Sequence, residues 1–205
     1  MEELRSLKAL QIDALREVAN IGAGHAATAL SQMIGETIMI TVPRINVSRL
    51  EEVRPQLGPP DEPVAAVLMY MLGDLTGRTL LVFPRRTAQR LASLLLHAKI
   101  TEDDFSDMAQ SAIKEAGNIL SSAYMNALSD FMGMMLIPSP PSLAVDMSSA
   151  VLTTAHLQFG TDKDFVFCVE SELLMDNLDE HLRGYFLLLP DSASLYAILR
   201  AVRVA

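Results

Sequence analysis

The chain is written twice, and no other feature limits its possible folds as much. EVANIGAGHAATALSQMIG in the first half faces EAGNILSSAYMNALSDFMG in the second. Asp13, Glu17 and Asn20 stand 98 positions before Ser111, Glu115 and Asn118. A later pair of segments, RTLLVFPRRTAQRLASLL and YFLLLPDSASLYAILRAV, matches with a slightly larger separation, as loops of unequal length produce. Two long units make a tandem duplication; a solenoid stacks more and shorter repeats.

Each copy runs through the same order of elements. Residues 7–33 have the period of an amphipathic helix, with Leu7, Leu15, Val18, Gly22, Ala26, Ala29 and Met33 on one side, and Gly35 marks its end. ETIMITV follows as a strand, and the polar, proline-rich EEVRPQLGPPDEP reads as a loop. VAAVLMYML and RTLLVF read as paired strands joined at GDLTG, and Pro84 opens a helix to about His97. In the second copy Thr101 and Asp104 suggest a capping-box helix start, with Asp in place of the usual Glu. That helix reaches about Met132, and Gly133 stops it. MMLIP reads as a strand, PSPPS as a break, DFVFCVESELL and YFLLLP as strands, and a last helix begins near Asp191. About three strands per half, too apolar to leave a face in water, predict one joined sheet covered by helices about a pseudo-two-fold axis. The expectation is an α+β fold in one domain, 1–205, made of halves 1–100 and 101–205.

Composition excludes several roles. Twenty-five acidic against 16 basic side chains give a net charge of −9, which disfavours nucleic acid and anionic membrane surfaces. Cys168 is the single cysteine, so no intrachain disulfide forms, and its place in FVFCV suggests a buried, inert thiol. MEELRSLKAL lacks the features of a signal peptide, and the longest apolar run, Val64 to Leu72, falls short of a membrane helix of about 20 residues. A soluble, cytoplasmic protein is expected.

The polar faces of the two long helices carry the chemistry. At about 100° per residue, Asp13, Glu17, Asn20, Gly24, Ala27 and Ser31 fall on one line opposite the apolar side. Ser111, Glu115, Asn118, Ser122, Met125 and Ser129 make the matching stripe, opposite Ile113, Ala116, Leu120, Tyr124, Ala127 and Phe131. One Glu-x-x-Asn pair on an exposed helix is commonly plain solvated surface. Two copies carry more weight, because Val18 became Ala116 and Gly22 became Leu120 while both pairs were kept. Asn20, Gly22 and Gly24 also destabilise a helix by about 2 kcal/mol relative to alanine, and Gly117 with Asn118 repeats part of that.

Other motifs lead nowhere. GAGHAA matches a dinucleotide fingerprint, but its glycines lie mid-helix and not at a strand-to-helix turn. The histidines at 25, 97, 156 and 181 lack metal-ligand spacing, and two carboxylates such as Asp13 and Glu17 are too few donors for a metal. Neither a G-x-S-x-G elbow nor a Walker loop is present. The 12 methionines fall mostly in apolar runs, as core fillers do.

DALREVAN and SAIKEAGN have the [Asp/Ser]-x-x-x-Glu-x-x-Asn form of the CheC phosphatase family, which the whole chain resembles. The resemblance implies a continuous antiparallel sheet with helices, and a hydrolase acting on the aspartyl phosphate of the response regulator CheY. It implies Asn20 and Asn118 as the residues that position water, and Glu17 and Glu115 as anchors for a substrate lysine. Asp13, Ser111, Gly24 and Ser122 would line the substrate. No cofactor is needed from this chain, since the substrate brings its own Mg²⁺. The receptor deamidase CheD is the implied regulatory partner. The second copy departs from the pattern at Ile119, Leu120, Ser121 and Ser122, where the first has Ile-Gly-Ala-Gly. The rival readings are a non-catalytic binding module, as in flagellar switch proteins, and a protein that chiefly regulates CheD.

Overall fold

The computed structural model describes residues 9–100, 105–159, 165–175 and 178–204. The first half runs α1 (Ala9–Ile34), β1 (Ile38–Ile40), β2 (Arg44–Arg49), α2 (Leu50–Val53), a 3-10 turn (Arg54–Leu57), β3 (Pro63–Gly73), β4 (Gly77–Pro84) and α3 (Arg85–Leu95). The second runs α4 (Asp107–Met132), β5 (Leu136–Pro138), β6 (Ser142–Met147), α5 (Ser148–Phe159), β7 (Phe165–Met175), β8 (Leu178–Pro190) and α6 (Ser192–Val204). The order of elements thus repeats, as the sequence requires.

All the strand pairings are antiparallel, and they join the eight strands into one sheet. The short strands β1 and β2 pair with β7 of the other half, and β5 and β6 pair with β3. Each half therefore lends its edge to the other's long hairpin. At the centre β4 pairs with β8, with Leu81 directly opposite Phe186, its counterpart in the repeat by strand register: Leu81 pairs with Val67 and Phe186 with the equivalent Val169. The pseudo-two-fold axis passes through this pair, normal to the sheet.

Alternation along the strands divides the core in two. Ala65, Val67, Met69, Leu81, Phe83, Phe167, Val169, Phe186 and Leu188 pack under α1, α3, α4 and α6. Val64, Ala66, Leu80, Val82, Val166, Cys168 and Leu187 pack on the opposite face against Leu50, Val53, Leu57, Val151 and Leu152. Cys168 is buried there, and burial, with Glu170 nearby, pushes its thiol up to about 12, so it stays protonated and unreactive.

Several expectations need correction. Among the described residues each half contributes four strands and not three: β6 is mostly exposed and β2 half exposed, so neither has an apolar signature in the sequence. The segment read as a loop at 51–63 contains α2 and the 3-10 turn, held by Leu50, Val53 and Leu57. Pro84 occupies the N-cap of α3 and not its first turn. Thr101 and Asp104 lie outside the described residues, as does Leu7; α4 starts at Asp107, where the Ser106 hydroxyl accepts from the Ala109 N–H at 3.4 Å. Gly133 ends α4 in the left-handed region at φ 61°, as its position suggested. Met33 is exposed, Ala29 and Phe131 are half-buried, and the other described members of the two apolar sides are buried.

Because β3 and β7 each take their outer partner from the other half, residues 1–100 alone lack the strands that complete their sheet. Such a half is expected to show no cooperative urea transition as a monomer, whereas the full chain shows one. A monomeric half that unfolds cooperatively, followed by circular dichroism, contradicts the strand exchange.

Candidate functional site

The two long helices pack against each other on one face of the sheet, and their contact decides where the polar stripes point. A Cβ on Gly22 would lie 2.7 Å from Tyr124 Cδ1 and 3.0 Å from Tyr124 Cα. Only glycine lets the backbones approach this closely. Tyr124 is itself fixed, its ring stacked on Phe186 at 4.6 Å and its hydroxyl 3.1 Å from the Ser171 hydroxyl. Gly117 serves a similar purpose toward the sheet, where a Cβ would come within 2.6 Å of Val67 Cγ2. Gly22 and Gly117 are thus explained by packing, so their helix penalty is no sign of function. Gly24 differs, since a Cβ there would meet nothing within 4 Å.

With Leu15, Val18, Ala19, Ala23 and Ala26 turned to the core, Asp13, Glu17, Asn20 and Gly24 face outward and are exposed. In α4, Ser111 and Glu115 are exposed, while Asn118 and Ser122 are half-buried. Met125, expected on this second stripe, is instead fully buried at 1% exposure. Together with Leu15, Val18 and Ile198 it lines an apolar cavity of about 50 Å³. The first stripe ends early as well. Ser31 donates to the Ala27 carbonyl at 2.7 Å and accepts from the Ile38 N–H at 2.8 Å, so it ties β1 to the helix. Ser129 does the equivalent for the second copy by donating to the Met134 carbonyl. Each stripe therefore reduces to four positions: 13, 17, 20 and 24, and 111, 115, 118 and 122.

Among the described residues, Glu17, Asn20, Glu115, Asn118 and Ser122 have no side-chain hydrogen-bond partner. Asp13 does have one: it accepts from Arg16 Nη1 at 2.7 Å, with both side chains largely exposed. Sequence reading missed this pair, although the i, i+3 spacing in DALR signals it. The second copy has Ser111 and Lys114 at the same places, so no ion pair can form there.

Chemically, each site offers an outward carboxylate one turn from an outward carboxamide, beside a small residue. A carboxamide can donate to and accept from the same water. Among the described residues, no three His, Cys, Asp or Glu side chains converge as a metal site would require, and no helix is long and apolar enough to cross a membrane.

The chain is similar to known proteins along its length. Residues 10–47 and 108–145 each match the sequence model of the CheC-like family, and these stretches are themselves 98 positions apart. The chain is 31% identical over 205 residues to the CheY-P phosphatase CheC of Bacillus subtilis, covering 98% of both. It is 27% identical over 144 residues to the flagellar motor switch phosphatase FliY of the same organism, covering 68% of this chain and 36% of that protein. Among solved structures, FliY of Thermotoga maritima has a TM-score of 0.77 at 23% identity, covering 97% of this chain and 98% of that one. The FliM middle domain from H. pylori has a TM-score of 0.68 at 16% identity, covering 95% and 99%. At these identities the structural likeness concerns the fold alone.

The glycines separate packing from access. Gly22→Ala and Gly117→Ala should each lower stability by about 1–3 kcal/mol, because overpacking outweighs the gain in helix propensity. Gly24→Ala should raise it by up to about 1 kcal/mol. Urea unfolding of the three variants checks this, and equal effects at all three would contradict it.

Proposed function

The chain belongs to the CheC-like family, and from that premise we propose that it is a phosphatase for the aspartyl phosphate of a CheY-type response regulator. The supporting observation is the pair of Glu-x-x-Asn sets turned outward in both copies, their side chains without internal partners. Surface groups bound to nothing of their own protein are free to meet another protein's reacting centre. Its 31% identical relative is a CheY-P phosphatase.

An aspartyl phosphate is hydrolysed when a water oxygen attacks phosphorus in line with the departing carboxylate oxygen. The new P–O bond forms as the bond to the aspartate breaks, which leaves a free carboxylate and inorganic phosphate. Asn20 and Asn118 hold that water, since a carboxamide can accept from it and donate to it and so fix its approach. They do not deprotonate it. Glu17 and Glu115 anchor a lysine beside the phosphoryl group, a contact that strengthens as the interface excludes water. Asp13 and Ser111 border the substrate, and Gly24 and Ser122 let its surface come close. Mg²⁺ comes with the substrate, and this chain supplies no cofactor. The reading extends to CheD as regulatory partner and to the cytoplasm as the place of action, both resting on family membership.

Loss of one carboxamide should lower its own site's rate by roughly 10²–10³, as does loss of one transition-state hydrogen bond. Asn20→Ala and Asn118→Ala should each retain substantial activity, and the double variant should lose nearly all. Phosphate release from phosphorylated CheY by the three purified variants measures this. Full activity in the double variant rules the assignment out.

A further inference from the structure

We propose that the two sites share one docking footprint, so that this protein engages a single phosphorylated regulator at a time, in either of two opposite orientations. The inference rests on the function proposed above and adds how its two sites are used. Geometry carries it. α1 and α4 lie on the same face of the sheet, and the pseudo-axis through Leu81 and Phe186 is normal to that sheet, so the helices run antiparallel. Gly22 meets Tyr124, and the repeat makes Ala26 and Leu120 the equivalent contact, both buried. The crossing is therefore centred between Gly24 and Ser122.

Asn20 and Glu17 come four and seven residues before Gly24, and Asn118 and Glu115 come four and seven before Ser122. With a rise of 1.5 Å per residue and 8–10 Å between helix axes, the two site centres lie roughly 15–20 Å apart. Both face away from the sheet, so a partner reaches either from the same side. A globular domain of about 100 residues has a radius of gyration near 13 Å and hence a diameter of roughly 35 Å. That is about twice the spacing between the sites. Two such bodies cannot both place a reacting group over their own asparagine.

Shared use has a kinetic signature. Two mutually exclusive sites add in kcat/KM, because either can capture a free regulator. Their kcat values average, because a saturated enzyme holds one substrate only. Independent sites add in both.

The probe is the regulator carrying beryllofluoride on its aspartate, a stable stand-in for the phosphoryl group. The mass of the complex with excess regulator is measured by sedimentation velocity for the wild-type full chain, Glu17→Arg and Glu115→Arg. Both glutamates are exposed and unpartnered, so neither change disturbs the fold. One regulator per chain is expected in all three. Two regulators on the wild type overturn the inference and leave the phosphatase reading standing. One on the wild type with none on either variant overturns it too, since then only one site docks. No binding by the wild type removes both readings. In turnover, wild-type kcat/KM should equal the sum of the two variants' values while its kcat lies between theirs; a kcat equal to the sum contradicts shared docking.

Discussion

The close approach of α1 and α4, where Gly22 meets Tyr124 above the central strands, sets the orientation of everything on the outer surface. Helices that pack with so little between them have little room to rotate. Tyr124 is held from below by Phe186 and Ser171, so the contact is seated on β7 and β8 as well. Once the inner residues of both helices are committed to this contact and to the sheet, the 3.6-residue period directs Glu17, Asn20, Glu115 and Asn118 away from it. The outward carboxamides are thus a consequence of packing on the opposite side of the same helices.

The duplication makes this arrangement symmetric, and the sheet enforces it through exchanged edge strands. Yet the copies have diverged in ways that bear on the sites. α4 is the more deeply set helix, with Met125 in the core where α1 has half-buried Ala27, and Asn118 more enclosed than Asn20. Gly117 brings α4 down onto Val67, whereas Ala19 of α1 borders a cavity. The first copy holds Arg16 against Asp13, and the second has a lysine and a serine in those places. On the proposed reading, the first site is the more open and the second the more confined.

Much of this was legible in the sequence, for physical reasons that differ by element. The long helices, the β3–β4 hairpin and the β7 and β8 strands bury apolar side chains at regular intervals, and that periodicity is visible without coordinates. β2 and β6 were missed because they lie at the sheet's rim with much of their length in water. α2 is held by three buried side chains scattered through a polar, proline-rich stretch, which local pattern cannot distinguish from a loop. The helix wheel places all eight site positions on water-facing lines, and six of them are exposed, but it gives no sign that Asn118 and Ser122 are half-covered. It also misplaced Met125, because a flexible side chain follows the available space. The helix-breaking glycines were over-read: two of the three serve close contacts, and that depends on what lies opposite them in space.

The central claim is that the two outward carboxamides meet the reacting centre of another protein, and it can be observed at those atoms. The chain contains five asparagines, so ¹⁵N-asparagine labelling gives a small set of side-chain NH₂ signals. On addition of a beryllofluoride-loaded response regulator, the signals of Asn20 and Asn118 should both shift, while that of Asn46 on the sheet edge stays in place. A complex that forms with the Asn20 and Asn118 signals unmoved would contradict the account.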